Sequence, residues 1–417
     1  MRAFVIKNLA PSRHMSLKAP GCTRTMSLDN PAENEQLFSY TSGRWLWNEK
    51  QQLDARYRQF NISSLKKIAC GVIGSTGCVS IEKIGEGNYN KALRLVMRNG
   101  QNLIVKIPNP NAGPIKHTTA SEVATMEFAR TILNLPVPKV LAWSATSQNP
   151  VESEYIIMEE AKGLQLHTVW PELELRAKRD IIHQIVDIEK KMLSVSFDKI
   201  GSLYFKDSGI LECESVEATA PSRKAADGIE SRFSIGPIVR REFWAGERSD
   251  MHHYHGPWKS ARQYLETIAR REIDWISRHA VPSKTAQNPR QFTSEAQSSP
   301  EAHVSSLCKF ISAIPCIIPR DSDLSSPRFW HPDFHSGNIY VDGDGKISSI
   351  IDWQGRINSI PRSSRSEPHR LQQKESQVVS RFLVVPCEPT TYILTLERAI
   401  LIIRVCIRYT LGAYTLA

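Results

Sequence analysis

The 417-residue sequence has eight cysteines (22, 70, 78, 213, 308, 316, 387 and 406) but no CxxC pair. Spacing this scattered supports neither a zinc site nor a disulfide framework, so reduced thiols in an intracellular compartment are expected. No charge-free apolar run approaches the ~20 residues of a membrane helix, so the chain reads as not transmembrane. There is no GxxxxGK[ST] phosphate loop and no GxSxG nucleophile elbow, which removes two large classes of nucleotide and ester chemistry. Internal repeats and a secretory signal are also missing.

Acid is absent from residues 1–28, which carry Arg2, Lys7, Arg13, Lys18 and Arg24 together with Ser12, Ser16, Thr23, Thr25 and Ser27. This composition fits a mitochondrial transit peptide, and equally an ordinary basic tail, since Pro11, Pro20 and Gly21 interrupt any long amphipathic helix. Residues 354–417 hold nine Lys or Arg against Glu367, Glu375, Glu388 and Glu397. The net charge of +10 therefore belongs to the two ends, and residues 29–353 are balanced. A neutral body argues against a nucleic-acid partner. With 41% hydrophobic and 23% charged residues, the chain is core-forming and long enough for two or three domains.

Alternation predicts strands over 79–85, 92–98 and 103–107, with Asn99-Gly100 as a tight turn between the last two. Val123, Met126, Ala129, Ile132 and Leu133 share one face of a helix predicted over 119–133, which Pro136 and Pro138 stop. Strands over 139–144 and 154–159 follow, and then helices that include 173–194 and 260–278. Residues 285–303 read as a polar loop, 356–380 as disordered, and 391–417 as apolar again, compatible with an amphipathic helix. Strands with one helix followed by helices predict an α+β class in two lobes.

The sharpest motif runs Trp330-His331-Pro332-Asp333-Phe334-His335-Ser336-Gly337-Asn338, followed by Ile350-Ile351-Asp352-Trp353-Gln354. Asp342-Gly343-Asp344-Gly345 supplies a turn between two short strands. An Asp, an Asn five residues on and a second Asp after a hairpin are the groups that phosphoryl transfer needs. One accepts a hydroxyl proton, and two offer hard oxygens to Mg²⁺ on nucleotide phosphates. His331-x-Asp333-x-His335 also resembles fragments of metal-hydrolase sites, but further ligands are missing nearby. A loop Asp and Asn also cap turns.

Upstream, Lys106 sits between Val105 and Ile107 inside a strand, where a lysine needs a partner or an anion. Glu122 lies sixteen residues later on the next helix, as a Lys–Glu clamp requires. Thr119-Ala-Ser-Glu122 fits a capping box equally well, and Glu127 is a rival partner. Gly85-Glu86-Gly87-Asn88-Tyr89-Asn90 joins the first two strands, and its glycines let backbone amides approach phosphates.

With these residues in place, the sequence resembles the aminoglycoside phosphotransferase/choline kinase-like family of the protein kinase-like superfamily. Within it, the chain is similar to the fungal group of altered inheritance of mitochondria protein 9. Glu86-Gly87-x-x-Asn90-Lys91, Ser121-Glu122-Val123-Ala124, Val137-Pro138-Lys139-Val140, Gly201-Ser202-Leu203-Tyr204-Phe205, Gly256-Pro257-Trp258 and the stretch His331–Gln354 carry the resemblance, over roughly residues 38–354. Pro332 and His335 replace the Arg and Lys of protein kinases, Trp353-Gln354 replaces Phe-Gly, and no Ala-Pro-Glu follows.

The resemblance implies a basic tail over 1–37, an antiparallel-sheet N-lobe over 38–160, a mainly helical C-lobe over 161–355 and a divergent tail over 356–417. It implies ATP and Mg²⁺ as cofactors and a small hydroxyl-bearing acceptor. Asp333 would be the base, and Asn338 and Asp352 the metal ligands. Gly85, Gly87, Asn90, Lys106 and Glu122 would serve the phosphates, and Glu159 and Ala161 the adenine at the hinge. The family pattern stops after Gln354, as a divergent ending or a read-through intron would produce, so the C-lobe reads as incomplete. A catalytically idle kinase fold with a binding or regulatory role in mitochondria is the alternative. Nothing in the sequence reports the oligomeric state.

Overall fold

Residues 78–159 contain a five-stranded antiparallel sheet in a computed structural model, which describes residues 31–280, 299–319, 321, 325–331, 333–354 and 358–359. The expectations for residues 1–30, for most of the 285–303 loop and for nearly all of the 356–417 tail lie outside the described residues. Two compact units are drawn from residues 1–195, 202–244 and 329–357, and from 196–201, 245–328 and 358–417.

The first unit opens with α1 (Pro31–Phe38), α2 (Glu49–Asp54) and α3 (Ile62–Ile73). The Asn61 side chain caps α3 by accepting from the Ser64 amide at 2.9 Å, and Gly74 ends it at φ 65°. Next come β1 (Cys78–Glu86), β2 (Asn90–Met97), β3 (Asn102–Pro108), α4 (His117–Thr131), β4 (Val140–Ser144) and β5 (Tyr155–Glu159). The strand order is β1-β2-β3-β5-β4, every neighbour antiparallel. The β2–β3 turn differs in one detail from the expected Asn-Gly geometry. Only Gly100 takes a positive φ, 81°.

The period of two divides the chemistry of this sheet. On one face, Leu93, Leu95, Met97, Leu103, Val105 and Ile107 pack against Leu37, Phe38, Phe60 and Leu65. Lys106 stands opposite Ala92 in the ladder and so faces the other way. Residues 118–126 of α4 are all buried, so this helix is enclosed rather than amphipathic.

After β5 the chain forms β6 (Leu164–Gln165), which joins a small sheet with the hairpin of Ile339–Val341 and Ile347–Ile350. Asp342 makes the hairpin turn, its Oδ1 accepting from the amides of Asp344 at 3.1 Å and Lys346 at 2.9 Å. The helix expected over 173–194 spans Leu175–Leu193.

In the second unit, the helix expected over 260–278 spans Ala261–His279 and is capped by Ser260. The predicted 285–303 loop ends earlier than expected. Ser299 accepts from the Ala302 amide, Pro300 pre-sets the first turn, and a helix runs Pro300–Ile317. Arg248 pairs with Glu272 at 2.7 Å in the interior of this unit. Among the described residues, no helix is long and apolar enough to cross a membrane.

Candidate active site

Strand β3 brings Lys106 to the centre of the sheet face opposite the apolar core. Its Nζ donates to Glu122 Oε1 on α4 at 2.6 Å and to Asp352 Oδ1 at 3.0 Å. The cap reading of Glu122 is thereby corrected. Helix α4 begins at His117, Thr119 Oγ1 donates to Glu154 Oε2 at 2.5 Å, and Glu122 turns to the lysine instead. The rival Glu127 pairs with Arg130 and Arg232. Burial acts to lower the Lys106 pKa, but the charges of Asp352 and Glu122 outweigh it and hold the ammonium above its ordinary range. Lys106 in turn holds the Asp352 carboxyl below its usual value, while burial pushes Glu122 up.

Asp352 adopts a left-handed backbone, φ 65°, which few residues other than Gly, Asn and Asp tolerate. Trp353, fully buried, donates from Nε1 to Ile350 O at 3.0 Å and lies edge-on against His331, with centroids 4.4 Å apart. His331 joins the Asp333 and Asp352 segments. Its Nδ1 accepts from the Asp333 amide at 3.1 Å, so Nε2 carries the proton and donates to Ile351 O at 3.0 Å. Burial brings its pKa down to about 4, and it stays neutral.

The loop that follows presents Asp333 outward, its side chain 67% exposed and Oδ2 3.4 Å from His335 Nε2. Asn338 spends its amide nitrogen on Asp333 O at 3.0 Å and on His335 Nε2 at 3.3 Å. Its Oδ1 has no partner among the described residues. The Asn338 carbonyl accepts from the Ile351 amide at 3.0 Å, which fixes this loop against the Asp352 segment.

Gly85 pairs with Ala92 at the end of β1, and the Gly87 amide donates to Asn90 O at 3.0 Å. The turn thus leaves the Asn88 and Tyr89 amides without partners among the described residues. A Cβ on Gly87 would meet nothing within 4 Å, so the protein's own packing does not demand glycine there. Asn90 Nδ2 donates to Gln354 Oε1 at 2.5 Å, and Gln354 Nε2 donates to Ala112 O at 3.2 Å, tying the glycine-rich hairpin to the Asp352 segment. Glu159 closes β5, its amide donating to Lys139 O at 3.0 Å. Ala161 follows with its amide unpartnered among the described residues. No cluster of three or more His, Cys, Asp or Glu suited to a metal occurs among the described residues.

Sequence reasoning missed three contributors: the neutral bridge made by His331, the tether made by Gln354, and Gly163. At Gly163, φ is 89° and a Cβ would fall 2.2 Å from Val341 O, so only glycine lets β6 meet the hairpin of Ile339–Val341 and Ile347–Ile350. Its place just after the hinge motif was the available signal.

A family model described as "Phosphotransferase enzyme family" matches residues 80–355. The chain belongs to this family. Among relatives of this phosphotransferase-family chain, a subtelomeric hrmA-associated cluster protein of Aspergillus fumigatus is 37% identical over 318 residues, covering 68% of this chain and 59% of the relative. The mitochondrial altered inheritance of mitochondria protein 9 of Clavispora lusitaniae is 25% identical, covering 80% of this chain and 62% of its own length. The phosphotransferase-family chain thus spans about three-fifths of these relatives. Among solved structures, a thermostable mutant of aminoglycoside phosphotransferase APH(4)-Ia, in ternary complex with AMP-PNP and hygromycin B, matches with TM-score 0.42 and 13% identity. The match covers 85% of this chain and 97% of that one. The fold itself is an antiparallel sheet with helices, the α+β class that the sequence predicts.

Proposed function

We propose that the protein is an ATP- and Mg²⁺-dependent phosphotransferase acting on a small hydroxyl-bearing molecule, and that it works in mitochondria. The observation that carries this reading is Lys106, charged and held between Glu122 at 2.6 Å and Asp352 at 3.0 Å. A cation so placed on the inner sheet face suits nucleotide phosphates. The free tip amides of Asn88 and Tyr89 and the empty space above Gly87 suit phosphates as well.

The donor set fits magnesium. Asn338 Oδ1 and the half-exposed Asp352 carboxylate are hard oxygens from two joined segments, and magnesium takes one or two such ligands together with phosphate oxygens. When bound, the metal neutralises charge on the phosphates. Lys106 orients the nucleotide phosphates, Glu122 keeps Lys106 extended, and His331 holds the Asp333 backbone at its station. Asp333, exposed and acceptor-facing in this reading, takes the proton of the attacking hydroxyl at its carboxylate. Glu159 and Ala161 bracket the adenine edge, to which Ala161 offers its amide. The mitochondrial assignment draws on the acid-free basic start and on the relatives named as mitochondrial.

Turnover of Mg-ATP by the full chain over a panel of hydroxylated metabolites tests the reading, with Asp333→Ala as the control. A folded parent that neither binds nor turns over Mg-ATP would leave the idle-scaffold function standing instead.

A further inference from the structure

Over the tip of the glycine-rich hairpin lies an arginine that none of the roles above uses. The Arg241 guanidinium lies 4.0 Å from the centroid of the Tyr89 ring. The side chain is half-buried, and no carboxylate pairs with it among the described residues. The nearest acid in sequence, Glu242, is engaged by Arg240 at 2.8 Å. A partly desolvated cation without a counter-charge is costly to keep unless a ligand supplies one.

The segment that presents Arg241 is fastened by hydrogen bonds on both sides. Tyr204 Oη donates to Pro237 O at 2.7 Å, Ser202 Oγ accepts from the Val239 amide at 3.1 Å, and Trp244 Nε1 donates to Ile238 O at 2.7 Å. Phe243, two residues beyond the arginine, is buried. The same segment lies beside the loop that Gln354 holds. A Cβ on Gly113, next to Ala112, would stand 3.7 Å from Val239 O. Arg241 is therefore fixed from outside the nucleotide sheet, over Tyr89, whose neighbour Asn90 is bonded to Gln354 two residues past Asp352.

We infer that Arg241 binds an anionic group on the acceptor, so that the substrate class is a hydroxyl compound bearing a phosphate or carboxylate. This rests on the phosphotransferase reading. The guanidinium fork matches either oxyanion in two-point fashion while stacking on an aromatic face. The nucleotide's own phosphates are the other source of such oxygens, but Lys106, the tip amides and the metal ligands already serve them. A pinned support lowers the ordering cost of holding the acceptor.

The test uses melting of the full chain with two probes, Mg-AMP-PNP and inorganic phosphate, at constant ionic strength. With Mg-AMP-PNP saturating, phosphate is expected to raise the parent melting temperature further. Arg241→Gln is expected to weaken apparent phosphate affinity by roughly tenfold to a hundredfold, the weight of charge-assisted hydrogen bonds. Arg241→Lys should recover part of it, and the Mg-AMP-PNP shift should not change in either variant. Absence of a phosphate response in the parent, or an equal response in Arg241→Gln, overturns the proposal and leaves the arginine as a brace for Tyr89. A fall in the Mg-AMP-PNP shift instead assigns Arg241 to the nucleotide and also overturns it. If Mg-AMP-PNP produces no shift in the parent, the phosphotransferase reading fails, while the phosphate arm without nucleotide still decides whether Arg241 is an anion site.

Discussion

Lys91 and Lys106 stand on adjacent strands of one sheet, both buried, and point to opposite faces. Lys91 Nζ donates to the carbonyl of Arg56 at 2.5 Å and to Asn109 Oδ1 at 2.7 Å. It meets Glu86 at 3.3 Å, a carboxylate already shared with Lys83 and the Thr41 amide. Burial outweighs Glu86 and brings the Lys91 pKa down to about 8. Lys106 is desolvated too, yet two carboxylates of its own keep it firmly charged. The difference separates two uses of a buried lysine. On the core face it fastens the N-terminal segment to the hairpin base. On the other face it is a charge held between Glu122 and Asp352, available in the proposed function to nucleotide phosphates.

That contrast predicts where function and stability part. The largest effect belongs to Asp333→Ala, expected to lower ATP-dependent transfer by about 10²–10⁴-fold while Mg-nucleotide binding persists. Retained turnover in a variant shown to be folded by circular dichroism would falsify Asp333 as the base. Next, Lys91→Ala is expected to cost about 2–4 kcal/mol in urea unfolding, from a cavity and orphaned acceptors. Lys106→Ala should instead remove most of the melting shift produced by Mg-ATP. If the two variants exchange these phenotypes, the division between the faces is wrong.

Proton linkage sharpens the same comparison. Lys91 has a folded pKa near 8 against an ordinary 10.5, so the unfolded chain holds its proton more tightly between those values. Its contribution to stability therefore rises with pH across that window. Lys106 has the opposite sign. Its stabilisation is complete below the ordinary 10.5 and is lost as pH climbs beyond it. Stability curves of the parent and Lys91→Met from pH 7.5 to 10.5 should diverge in slope, and parallel curves would refute the assignment (about one pH unit is 1.36 kcal/mol). His331, near 4 when folded and 6.5 otherwise, makes stability fall as pH drops from about 6.5 towards 4, a dependence that His331→Gln should blunt.

The smallest effect is expected from Gln354→Ala. Losing hydrogen bonds to Asn90 and Ala112 should cost about 1 kcal/mol and speed amide exchange of residues 87–90. Unchanged exchange there would mean that the hairpin does not depend on this tether.

Much of this was legible in advance because it is local. Alternation exposed the strands, the position of Lys106 between two apolar neighbours exposed a buried cation, and a sixteen-residue interval pointed to Glu122. What stayed hidden depends on partners distant in sequence. Nothing near His331 announces that it links the Asp333 amide to Ile351 O, and nothing near Gly163 announces Val341. Helices α1–α3 went unread for the same reason. Leu37, Phe38 and Leu65 acquire their meaning only from the back of β2 and β3. Thr119 illustrates the converse error, since a local cap pattern was overruled by Glu154, which lies thirty-five residues away.

The left-handed backbone at Asp352 sets the evolutionary options at that position. Asparagine and glycine accept φ 65° readily, and glutamate does not, although glutamate alone would keep the charge. Asp352→Gly would thus relax the backbone as it discards the carboxylate. In the proposed function, losing this carboxylate carries no backbone penalty, and what the folded chain forfeits is the pair with Lys106, which Glu122 still holds.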